Sequence, residues 1–98
     1  MIRVIYHWRV RPGEEATFRG AWERATTNIR ANTRGARGSF LLQSRQSPVE
    51  YVTVARWDSF EDWEAFWQGA RPTEMQSMHN LAELLSTQVF DEVQDHTV

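Results

Sequence analysis

Ten residues near the start, IRVIYHWRVR at 2–11, alternate with period two, and this pattern makes the first element a β-strand. Ile2, Val4, Tyr6, Trp8 and Val10 share one face; Arg3, Ile5, His7, Arg9 and Arg11 share the other. A strand with so bulky an apolar face must be covered, and the sequence next offers a helix to cover it. Pro12-Gly13 ends the strand, and Glu14 and Glu15 suit the positive end of a helix. Phe18, Ala21, Trp22, Ala25 and Ile29 then recur at helical spacing, forming an amphipathic stripe. The helix is expected to fade near Asn32, and NTRGARG reads as a loop.

Two further strands are expected at 38–46 (GSFLLQSRQ) and 50–57 (EYVTVARW), joined by a turn at Ser47-Pro48 as an antiparallel hairpin. Asp58-Ser59 offers a helix cap, and Phe60, Trp63 and Trp67 share a face of the short helix that follows, with Phe66 beside them. Gly69 and Pro72 break it. Thr73 and Gln76 read as a capping box for a third helix, on which Met75, Met78, Leu81, Ala82 and Leu85 line up with His79 at the margin. A last strand is expected at 87–94. The order is the split βαβ arrangement of an α+β, ferredoxin-like fold: a four-stranded antiparallel sheet with its helices on one face, in one domain over 1–98.

Helices can cover only one face of that sheet, yet the hairpin is apolar on both. Phe40 and Leu42 oppose Leu41, and Val52 and Val54 oppose Tyr51, Ala55 and Trp57. A two-fold dimer with sheets face to face is the simplest way to bury the second set.

Composition removes several chemistries. All eleven basic residues are arginine, which excludes Schiff-base and phosphate-loop lysines. The absence of cysteine excludes thiol nucleophiles, disulfides and thiolate metal sites. A net charge of −2 gives no reason to expect nucleic acid, and no apolar run reaches the length of a membrane span. Strand-like sequence directly after Met1 leaves no signal peptide, so the cytoplasm is the expected compartment. No two of His7, His79 and His96 are spaced as metal ligands, and no metal is expected. The loop arginines Arg30, Arg34 and Arg37 would suit an anionic ligand, but a solvated loop is the expected account.

The opening strand with its Pro12-Gly13 turn, the segment WDSFEDWEAFW and the downstream MHNL together resemble the antibiotic biosynthesis monooxygenase superfamily over essentially the whole chain. The resemblance implies a dimeric α/β barrel. Its cofactor-free oxygenase branch implies that Trp63 borders an aromatic substrate; the branch's asparagine and tyrosine positions hold Ser59 and Gly69 here. Its haem-degrading branch implies a site with Trp63 and His79, and the first-strand asparagine position falls at Tyr6 or His7.

On the leading reading the chain is a cofactor-independent monooxygenase acting on a phenol- or quinol-type small molecule. His79, whose imidazole titrates near neutral pH, is the expected base and Trp63 the stacking wall. Tyr6, Trp8, Phe66, Trp67, Met75 and Met78 are expected to bind substrate. The alternatives are a haem-binding, haem-degrading protein with His79 as iron ligand, and a non-catalytic ligand-binding dimer.

Overall fold

The computed structural model describes residues 1–69 and 73–98. The elements follow as β1 (Ile2–Val10), α1 (Glu15–Asn32), β2 (Ala36–Gln43), β3 (Glu50–Trp57), α2 (Phe60–Gln68), α3 (Thr73–Leu81) and β4 (Ala82–Asp91). Four strands form one sheet in the order β2-β3-β1-β4, with every pairing antiparallel. This is the ferredoxin-like α+β arrangement that the element order implied.

The alternation of β1 sets the layers. Ile2, Val4, Tyr6, Trp8 and Val10 are buried, and Phe18, Ala21 and Ala25 of α1, Trp63 of α2, and Met75 and Met78 of α3 pack on the same side. Each large apolar side chain buried there contributes about 1.5–3 kcal/mol. β3 adds Tyr51, Thr53, Ala55 and Trp57, which lie opposite Trp8, Tyr6, Val4 and Ile2 in the ladder.

Local chemistry fixes the ends of the elements. The Ser59 hydroxyl accepts from the Asp62 backbone N–H at 3.1 Å and caps α2 as expected. At the other end, Gly69 N–H donates to the Phe66 carbonyl at 3.2 Å. Pro72, the other expected breaker, lies outside the described residues. Thr73 is the first residue of α3, and the Gln76 side-chain amide donates to Asn80 Oδ1 at 3.3 Å; the turn before Thr73, where the capping box was expected to begin, lies outside the described residues.

Two boundaries differ from expectation. β2 spans 36–43 rather than 38–46 because the Ser44 hydroxyl accepts from the backbone N–H groups of Gln46 and Ser47, turning the chain early. β4 begins at Ala82 rather than 87, so Ala82 and Leu85 belong to a strand and not to the third helix. The local pattern suits either state there, and the ladder decides: Val10 pairs with Ala82 and Trp8 with Leu84, and a bulge between His7 and Trp8 absorbs Leu85.

The opposite sheet face carries Arg3, Ile5, His7, Phe40, Leu42, Val52, Val54, Arg56 and Phe90. Phe40, Leu42 and Phe90 remain 49%, 50% and 48% exposed, so the apolar second face read from the hairpin is present. At one end of this face Glu92 bridges Arg3 (2.6 Å) and Arg56 (2.9 Å), which are direct ladder partners. No helix among the described residues is long and apolar enough to cross a membrane.

Candidate functional site

Between the helices and the sheet lies a cavity holding about 510 Å³ of space free of protein atoms, its open mouth included. β1 contributes Tyr6 and Trp8, and β3 contributes Thr53, Ala55, Arg56 and Trp57. α1 contributes Trp22, Thr26, Ile29 and Arg30, and β2 contributes Ala36, Gly38 and Ser39. Phe66 of α2 and Met75 and Met78 of α3 complete the wall. Aromatic rings, methyl groups and thioether-bearing chains dominate, a lining suited to a flat apolar molecule.

Two indole hydrogen bonds order the floor. Trp63 Nε1 donates to the Tyr6 hydroxyl at 2.9 Å, and Trp8 Nε1 donates to the Thr53 hydroxyl at 3.2 Å; both are buried. An indole N–H shut away from water needs such an acceptor, so each pair locks two rings at once. Further rings brace them. Trp67 stacks on Trp63 with centroids 5.9 Å apart, Trp8 meets Phe18 edge-on at 5.6 Å, and Phe66 tilts over Trp57 at 5.2 Å.

Of the residues expected at the site, Tyr6, Trp8, Phe66, Met75 and Met78 line this cavity. Trp63 is buried beneath it and reaches it through its hydrogen bond to Tyr6. Trp67 packs behind, on Tyr6 and Trp63. His79 packs against Trp8 with ring centroids 5.3 Å apart, and it borders a different depression formed with Arg9–Pro12 and Asn80–Glu83. His7 lies on the opposite sheet face and His96 in the tail, where its Nε2 is 3.2 Å from Gln94. The three histidines do not meet.

The α1 wall is the part the site reading missed. Trp22, Thr26 and Ile29 follow helical spacing, which puts Trp22 and Ile29 on the core stripe and Thr26 on its flank. A polar threonine one turn from an arginine, on the flank of an apolar stripe, was the available signal. The three loop arginines also separate. Arg37 forms a two-point pair with Asp58 (2.6 and 3.3 Å), and the hydrogen bond between them holds the Asp58 carboxyl below its usual range. All three are exposed, as a solvated stretch implies; Arg34 approaches Asp62 at 3.8 Å, whereas Arg30 belongs to the last turn of α1 rather than to the loop and borders the cavity.

Residues 1–81 match the model of the family described as antibiotic biosynthesis monooxygenase. The chain belongs to this family. No curated protein matches it in sequence. Among solved structures it is similar to SnoaB of Streptomyces nogalater, a cofactor-independent oxygenase, with 20% identity over 97% of this chain and 95% of that one and a TM-score of 0.79. A Bordetella bronchiseptica protein described as an antibiotic biosynthesis monooxygenase shares 23% identity over 95% and 97% of the two chains, with a TM-score of 0.77. Rv0793 of Mycobacterium tuberculosis shares 18% over 98% of each, with a TM-score of 0.73. At these identities the likeness is one of fold.

Proposed function

We propose that this family member is a cofactor-independent monooxygenase acting on an aromatic, oxidisable small molecule of the phenol or quinol type. The observation that carries the reading is the aromatic cavity with the Tyr6 hydroxyl held at its floor by Trp63. The chemistry asks little of a protein. An acidic hydroxyarene or its keto tautomer gives a proton to water at the cavity mouth, the anion passes one electron to molecular oxygen, and radical and superoxide combine to a peroxide anion that takes the proton back as a hydroperoxide. Loss of water leaves a carbonyl: a CH2 group and O2 give C=O and H2O, with no external reductant. The protein supplies an apolar, ordered pocket and a polar group at the reacting carbon. In this assignment Tyr6 is the residue that meets the substrate's oxygen, Trp63 orients Tyr6, and Trp8, Phe66, Met75 and Met78 hold the rings. His79, which borders a different depression, positions Trp8 from behind.

The residues do not favour haem as the cofactor. No histidine is among the described residues that line the cavity, and the imidazole of His79 lies on Trp8 rather than in the lining. We also propose that the exposed apolar sheet face pairs with that of a second copy.

The test is oxygen uptake with anthrone-type and naphthol-type substrates in buffer free of flavin, haem and metal. Uptake of one O2 per quinone formed, well above the protein-free rate, is expected. A rate no higher than that of buffer across both classes would overturn the reading.

A further inference from the structure

We infer that the molecule taken by this cavity is an aromatic acid, oriented by an ion pair between its carboxylate and Arg30. The inference rests on the reading of the cavity as the substrate site. Polarity in the lining is graded with depth. Tyr6, Trp8, Thr53, Trp57, Met75 and Met78 are buried at the bottom, whereas Arg30 is exposed and Thr26 and Ser39 half-buried. No aspartate or glutamate is among the described lining residues, so the charge at this wall is positive.

Arg56 also borders the cavity, but its guanidinium belongs to the opposite sheet face, where Glu92 engages it at 2.9 Å. Arg30 makes no ion pair among the described residues, although eight such contacts tie other arginines to carboxylates. Its place in the last turn of α1 suits the helix dipole but provides no anion. The backbone opposite favours its position. Gly38 has φ +95°, and a Cβ there would lie 3.6 Å from Arg30 Cδ, so the arginine stem lies beside a bare stretch of β2 at the mouth. Thr26, one turn earlier on the same helix, adds a hydroxyl. A guanidinium beside an apolar cavity suits a planar carboxylate, which accepts two parallel N–H bonds. The rings would occupy the aromatic floor and the carboxylate the Arg30 rim.

The test uses a matched pair that differs only in charge, anthraquinone-2-carboxylate and anthraquinone-2-carboxamide, titrated by quenching of tryptophan fluorescence. Neither is oxidised by O2, so binding is read apart from turnover. The wild type is expected to bind the carboxylate about tenfold more tightly. Arg30→Gln should abolish that preference while leaving carboxamide affinity unchanged, Arg30→Lys should keep part of it, and Arg24→Gln, outside the cavity, should change nothing. Equal binding of the two probes by wild type, or an Arg30→Gln loss shared by both, would overturn the inference and leave the aromatic cavity intact. Failure of both probes to bind would overturn the inference together with the cavity reading. Charge-selective binding without oxygen uptake on any substrate would sustain the inference and sink only the oxygenase.

Discussion

Tyr6 shows how one hydroxyl ties packing to chemistry. It is buried, lies on the cavity floor, and accepts the only polar hydrogen that the buried Trp63 ring has. Tyr6→Phe keeps the ring and leaves that indole N–H without this acceptor, which costs about 1–3 kcal/mol of stability by the usual penalty for a buried unpaired donor. In the proposed reaction it also removes the polar group at the reacting atom, so turnover is expected to fall by roughly a hundredfold with substrate affinity little changed. Denaturant melts and initial rates on the same preparation check both. His79→Gln provides the contrast, since a positioning role predicts a shape of the pH–rate profile like that of wild type. Loss of a limb near neutral pH in that variant would make His79 the base after all. The tyrosine was legible in the sequence as a member of the inward face of the first strand. Its bond to Trp63, fifty-seven residues away, was not, because strand alternation says which way a side chain points and nothing about what it meets.

At the scale of elements, the junction of β2 with α2 depends on one glycine. Gly35 has φ +82°, its carbonyl accepts from Asp58 N–H at 2.8 Å, and a Cβ there would come within 2.7 Å of the Asp62 carboxyl carbon. Gly35→Ala combines an unfavourable backbone with a clash, and is expected to cost about 2 kcal/mol or more, measured by chemical denaturation. An unchanged midpoint would mean that the α2 start shifts freely, and with it the Trp63 contact. The C-terminal end of β4 depends instead on charge. The hydrogen bond from Arg3, helped by that from Arg56, holds the Glu92 carboxyl below its usual range. A depressed folded-state pKa adds stability that is fully present above the unfolded value and is lost as pH falls through the folded one. Wild type should therefore lose more stability than Glu92→Gln on acidification below the ordinary glutamate range, and parallel pH profiles would contradict the role. Strands and helices were legible wherever one period ruled, as in β1 and α1. They were misread at 82–86, where AELLS fits both periods and only pairing with β1 decides.

For the molecule as a whole, one sheet face is spent on the cavity and core while the other keeps Phe40, Leu42 and Phe90 half in water. A second copy is the proposed cover, and Leu42→Glu places a charge on the exposed β2 edge of that face. Sedimentation should show a dimer for wild type and a shift to monomer for the variant; a wild-type monomer at micromolar concentration would refute the pairing. Two aspects of the cavity escaped the sequence for the same reason. The α1 wall and Arg30 become part of a site only once α1 is laid across β2 and β3, and no local pattern carries that information. The central claim is that the aromatic cavity is where an oxidisable arene meets molecular oxygen, and 18O2 labelling with an anthrone substrate tests it most directly when wild type is compared with Ala55→Phe, a variant that fills the cavity wall. The account predicts one 18O in each quinone formed by wild type and near-complete loss of product in the filled variant. Quinone oxygen drawn from water, or turnover undiminished once the cavity is filled, would contradict it.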